Sequence, residues 1–182
     1  SSIMSKKLAA GAHNIVLDVT VGSGAFISDP AEAKILAEKM VSIGKAAGRN
    51  IAAVMTNMNA PLGKNVGNSL EVIEAVEILR GKGPADLREV CVALAGEMVA
   101  LFSGKDADDC HALCEKALDD GSAYAKFLDM VRAQGGDVSY IENTDKFPKA
   151  AYSAEVRAEE DGFITKMQTA EIGTASVILG AG

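Results

Sequence analysis

Tryptophan is missing from these 182 residues, and Phe and Tyr bring the aromatic share to only 4%. A protein that reads single-stranded nucleic acid stacks bases on such rings and follows the backbone with a basic groove. Here 18 Lys and Arg stand against 25 Asp and Glu, the formal net charge is −7, and the basic residues form no cluster. The composition therefore argues against nucleic-acid binding. The sequence also lacks any apolar run near the roughly 20 residues that a membrane-spanning helix requires. Cysteine is scarce: Cys91, Cys110 and Cys114 make an odd, low count, and no secretory hydrophobic segment opens the chain. This pattern predicts reduced thiols in a cytoplasmic setting.

What is present is globular, with 48% hydrophobic and 24% charged residues. A chain of this length buries roughly 70% of its unfolded surface without needing disulfide or metal staples. The first residues, 1–11, read as a helix with no initiator methionine and no cap before it, while 175–182 are apolar and strand-like and stop without a polar tail, which predicts a piece of a longer protein.

Asn14 to Val21 is almost continuously apolar or β-branched and predicts a strand buried on both faces. Asp18 interrupts it, and a carboxylate in such a strand must find partners. After Gly22-Ser23-Gly24, the string Asp29-Pro30-Ala31-Glu32 supplies a helix start. Leu36, Met40, Ile43 and Ala47 then recur at helical spacing before Gly48, and a second strand follows over 50–58. Strand, helix and strand in this order make a βαβ unit with parallel pairing. In such sheets ligands sit beyond the carboxyl ends of the strands, at 22–26 and 57–63 here.

Asn68 is expected to cap the next helix, with Glu71 three residues on, and three further helical patterns fill the middle of the chain. Beyond residue 151 the pattern changes to short alternating stretches, 154–158, 163–169 and 174–179, with Asp161-Gly162 between the first two. That is hairpin chemistry and predicts the start of a small C-terminal β module. The fold class is thus α/β, a mixed sheet containing a βαβ unit with helices.

Several groupings invite a chemical reading beside a plainer one. Gly22-Ser23-Gly24 matches neither the dinucleotide fingerprint nor the lysine-containing phosphate loop, and reads first as a tight turn. Cys110-His111-x-x-Cys114 puts two sulfurs on one helix face, but His13 is the only other histidine and a fourth ligand is missing. Glu71, Glu74 and Glu77 form an acidic stripe whose default is a solvated face. Ser2 and Lys6 lie four apart, spacing that suits one ligand touching both and suits any exposed helix equally well.

Longer words in the sequence are more specific. Ser2-Ile3-Met4-Ser5-Lys6-Lys7-Leu8-Ala9-Ala10-Gly11, Val16-Leu17-Asp18-Val19-Thr20-Val21-Gly22-Ser23-Gly24-Ala25-Phe26 and Met58-Asn59-Ala60-Pro61-Leu62-Gly63 are followed by Val66-Gly67-Asn68-Ser69-Leu70-Glu71-Val72. Met130-Val131-Arg132-Ala133-Gln134-Gly135-Gly136-Asp137 and the stretch from Asp161-Gly162-Phe163 to Leu179-Gly180-Ala181-Gly182 continue the series in unbroken order. Together they resemble the pyrimidine-nucleoside phosphorylase and thymidine phosphorylase family.

The resemblance implies a homodimer of a helical and an α/β lobe that cleaves a pyrimidine nucleoside with phosphate between the lobes. Residues 1–11 would be the tail of a helical-lobe helix, 12–151 the α/β lobe and 152–182 the beginning of a C-terminal β module. The family's phosphate loop, histidine and base-binding arginine fall outside these residues, so the chain alone is expected to be inactive. Ser2 and Lys6 match the base-contacting serine and lysine, Lys6 being the catalytic one. The carbonyls of Leu62 and Asn65 with the carboxylate of Glu74 match a potassium site of some bacterial members, and the acidic stripe gains a second reading. Three positions depart from the commoner pattern: Thr20 replaces a lysine, Asn57 an aspartate and Asn65 a small residue. Two other readings stand beside this one, a phosphoribosyltransferase of the anthranilate type, whose acidic metal-binding motifs are not found, and a non-catalytic α/β binding domain.

Overall fold

Asp29 and Pro30 decide where the first long helix begins. In the computed structural model, which describes residues 2–181, the Asp29 carboxylate accepts the Ala31 N–H at 2.7 Å. Pro30 takes the first helical position, where no N–H is needed. The helix, α2, runs Pro30–Ala46. It follows a short helix α1, Ser2–Ala9, and a strand β1, Asn14–Val21, and it leads into β2, Asn50–Asn57. The strands pair in parallel, Asn14 opposite Asn50 through Val21 opposite Asn57. The βαβ unit is therefore as the sequence predicts.

Ile15, Leu17, Val19 and Val21 point to one face of the sheet and bury, with Ile51, against Ala33, Ala37 and Met40 of α2. The two alanines let the helix lie close to the strands. Met4 joins the same core and anchors α1 to it. The opposite face differs from expectation: β1 is buried on one face only, and Asp18 is exposed. Its partner is the Thr56 hydroxyl, which donates across the strands at 2.6 Å. A solvated carboxylate with one such bond needs no buried counter-charge.

Four more helices follow: α3 Asn68–Leu79, α4 Ala85–Ser103, α5 Ala107–Asp119 and α6 Ser122–Ala133. A second core joins Ile78 of α3, Val92 of α4 and Leu118 of α5. At the α4 and α5 crossing, the backbone of Gly96 meets the His111 ring so closely that a Cβ there would overlap it. Arg80, just past α3, donates through Nη2 to the Tyr124 hydroxyl at 2.8 Å and to the carbonyls of Ile141 and Glu142 at 3.0 and 2.9 Å. Its guanidinium also lies 4.8 Å from the Tyr124 ring centroid. These contacts tie α3 to α6 and to the short helix α7, Ser139–Glu142.

The C-terminal part corrects the sequence expectation. Residues 148–166 are exposed throughout and form no strand, with Val156 and Phe163 almost fully accessible. An alternating stretch becomes a strand only when a neighbour takes up its backbone hydrogen bonds, and no described residue does so. Where 174–179 read as a strand, the chain is helical: α8 covers Thr169–Ile178. The Thr174 hydroxyl bonds back to the Ala170 carbonyl at 3.0 Å, and Ser176 anchors the helix on the Val66 carbonyl at 3.1 Å.

Two glycine substitutions should separate close packing from helix propensity. Gly96→Ala forces a methyl into the His111 ring and is expected to cost about 1–3 kcal/mol, as overpacking does. Gly173→Ala in α8 meets nothing within 4 Å and should gain up to about 1 kcal/mol from helix propensity. Chemical denaturation midpoints decide; shifts of the same sign would contradict the packing described.

Candidate functional site

The α1 helix presents two different faces. Met4, only 3% exposed, fastens it to the core, and Ile3 and Lys7 turn toward a cleft of about 290 Å³ that Asp18, Thr20 and Phe26 also line. Ser2 and Lys6 do not line that cleft. They are exposed one helical turn apart, and neither side chain makes a hydrogen bond or ion pair among the described residues. The Ser2 carbonyl is held by the Ser5 hydroxyl at 3.0 Å. Lys6 lies in the last turn, where the helix dipole favours a cation. The structure thus offers a hydroxyl and an ammonium, both free, side by side on an anchored helix.

The acidic stripe of α3 resolves into three roles. Glu77 is exposed. Glu71 reaches back to accept the Gly67 N–H at 2.7 Å. The expected cap at Asn68 is therefore displaced by one residue: Gly67 occupies the cap position without a side chain, and Glu71 supplies the bond. Glu74 is 4% exposed and is no part of a solvated face. Its carboxylate accepts the Lys64 N–H at 3.0 and 3.3 Å. Asn65 approaches through its main-chain N–H at 3.4 Å and through Nδ2, also at 3.4 Å.

Such an approach requires glycine beside it. Gly63 has φ +72°, and a Cβ there would overlap Oε2 of Glu74. Its N–H is in turn held by Asp86 of α4 at 3.0 Å. The structure therefore brings Leu62, Asn65 and Glu74 onto one loop and the helix beneath it. No Lys, Arg or His side chain pairs with Glu74 among the described residues. A buried carboxylate offset only by neutral N–H groups is a hard oxygen donor without a counter-charge, a chemistry that suits a monovalent cation.

At the carboxyl ends of β1 and β2, where such sheets hold ligands, the chain's later segment packs alongside and leaves a cavity of about 420 Å³ lined by Ser23, Asn57, Asn59, Ala60 and residues 164–167. The Ser23 N–H donates to Asn59 Oδ1 at 3.0 Å, and both the N–H and the amide of Asn59 donate to Asn57 Oδ1, at 3.0 and 2.9 Å. The Ser23 hydroxyl bonds the Met167 carbonyl at 2.9 Å and Thr169 Oγ1 at 3.2 Å, and accepts the Thr169 N–H at 3.3 Å. A Cβ on Gly24 would overlap the Thr169 side chain. Gly22-Ser23-Gly24 is thus a seat for the chain's own later segment. Nothing local in the sequence marks Met167 and Thr169, which lie about 145 residues away.

Cys110 is buried and faces the Ser103 hydroxyl at 3.8 Å. Burial, and then the neighbouring Cys110, push the Cys114 thiol upward, the opposite of an activated nucleophile. Among the described residues no three His, Cys, Asp or Glu side chains converge on a metal position.

Replacing Glu74 by Gln keeps its shape but sets an NH₂ against the Lys64 and Asn65 donors. The loss of an acceptor for buried N–H groups should cost about 1–3 kcal/mol, whereas Glu77→Gln should stay within about 0.5 kcal/mol. Equal denaturation midpoints for the two variants would return Glu74 to the surface.

Comparison with known proteins places the chain in a family. Residues 1–124 match the glycosyl transferase family, a/b domain. The whole chain is 46% identical to a pyrimidine-nucleoside phosphorylase of Geobacillus stearothermophilus and 45% identical to one of Staphylococcus aureus, strain bovine RF122 / ET3-1. In both cases it spans 42% of the relative's length. With most of the chain inside that domain and the identity running from end to end, the chain belongs to the glycosyl transferase family.

Proposed function

We propose that the full-length protein containing this chain is a pyrimidine-nucleoside phosphorylase, which moves the pentosyl group of a thymidine- or uridine-type nucleoside from the base to inorganic phosphate. The observation that carries this reading is the 46% identity over the entire chain with a relative of that name. The free pair Ser2 and Lys6 on α1 supports it. In that protein 1–11 would close a helical lobe, 12–151 would form the α/β lobe, and the segment after 151 would lead toward a C-terminal β module. The protein would act in the cytoplasm as a homodimer.

The chemistry asks for such a pair. A phosphate oxygen forms a bond to C1′ while the C1′–N1 bond breaks, and the bonding electrons leave on the pyrimidine, which then takes a proton from water. Negative charge therefore grows on the base through the transition state. The Lys6 ammonium, set at the base's carbonyl edge, stabilises that charge where it develops, and needs no reorganisation if the helix already holds it. The Ser2 hydroxyl orients the ring. The carbonyls of Leu62 and Asn65 and the carboxylate of Glu74 would hold potassium, which when bound would add to the charge compensation that the N–H donors already give Glu74.

In the full-length protein, Lys6→Met should lower kcat by about 10²–10³-fold, as loss of a single transition-state donor does. A nucleoside with a more acidic leaving base should lose less. A change confined to KM would reduce Lys6 to a binding role. Residues 1–182 alone should give no turnover with thymidine or uridine in phosphate, because catalysis by positioning, worth about 7–11 kcal/mol, needs both reactants held.

A further inference from the structure

Asn65 approaches the Glu74 carboxylate from two directions, through the main-chain N–H toward Oε2 and through the side-chain Nδ2 toward Oε1, each at 3.4 Å. With the Lys64 N–H, which spans both oxygens at 3.0 and 3.3 Å, four contacts surround a group that offers about four lone-pair positions. Only the Nδ2 contact depends on the identity of a side chain. We propose that Asn65 is a positioning residue whose side-chain amide takes over part of the charge compensation that bound potassium would otherwise supply, so that the loop holds its shape with little dependence on that ion.

The argument runs from burial. Glu74 is 4% exposed, so water contributes little to its solvation, and no cationic side chain pairs with it among the described residues. A side chain shorter than asparagine at position 65 would leave Oε1 with the shared Lys64 N–H alone. The carboxylate would then be underpartnered, and a cation would be the remaining means of offsetting it. The amide also takes up a lone-pair position on Oε1, which is then not open to a cation. Asn65 therefore lowers both the need for the ion and the room for it. The proposal rests on the phosphorylase reading only for the identity of the cation.

The test compares wild type, Asn65→Ala and Asn65→Asp in the full-length protein, in potassium chloride and in choline chloride at equal ionic strength. Two readouts are independent of activity: the thermal midpoint, and hydrogen exchange of the Lys64 and Asn65 amides. Wild type should respond almost identically to the two salts. In Asn65→Ala, potassium should slow exchange of these amides by about 5-fold or more relative to choline, a typical coupling between sites, and should raise the midpoint. Asn65→Asp keeps the shape but turns a donor into a second carboxylate, and its response should be at least as large; it also serves if the alanine variant does not fold. Variants that respond to potassium no more than wild type would overturn the proposal. Phosphorolysis by the wild type is assayed separately. Turnover without a larger potassium response in the variants removes the role of Asn65 alone, whereas absence of turnover removes the phosphorylase reading and leaves the exchange comparison to decide Asn65.

Discussion

Eight residues of β1 lie alongside eight of β2 in parallel register, and two parallel strands cannot be joined by a hairpin. The chain has to cross over, so α2 is obligatory, and its small residues Ala33 and Ala37 seat it on the apolar face. Parallel direction has a second consequence: the turns that leave β1 and β2 emerge at the same end. Ser23 and Asn59, 36 residues apart, become hydrogen-bonded neighbours only because of it. The same end is met by the chain's own Met167 and Thr169, which leave a cavity beside Ser23 and Asn59.

The buried carboxylate of Glu74 is the other organising constraint. A charge that is 4% exposed must be met by donors, and the nearest are the N–H groups of the Lys64–Asn65 turn. Meeting them bends the loop over α3, which in turn demands the left-handed Gly63. Asp86 fixes Gly63 from the start of α4, and Glu71 closes the helix start at Gly67. Three carboxylates thus set the path between β2 and α4. Each does so by accepting backbone N–H groups, a use of acidic residues that their helical spacing alone does not distinguish from a solvated stripe.

The two groups of candidate residues follow from different physics. Ser2 and Lys6 are available because α1 buries Met4 and leaves the adjacent face uncommitted. Glu74 matters because it is fully committed. A freely accessible ammonium can meet charge that appears during a reaction, while a buried carboxylate with neutral donors shapes the loop that carries it.

Much of the fold was written locally. The cap at Asp29 and Pro30, the continuous apolar run of β1 and the helical periodicity of α2 determined the βαβ unit, because each depends on neighbours within a few residues. The words around Ser2 and Lys6 and around Leu62 carry the resemblance that singles out those positions. Tertiary structure decided the rest. Alternation in 154–158 and 163–169 promised strands, but a strand needs a partner to take its hydrogen bonds, and those residues stand exposed. The 174–179 stretch became helix, its Ser176 docked on Val66. Asp18 looked buried and is not, because the face of β1 that carries it is only partly covered. Glu74 looked solvated and is not, because a loop ten residues upstream in the chain folds back over it. Burial is a property of what the rest of the chain brings alongside a residue, and no short window of sequence contains it.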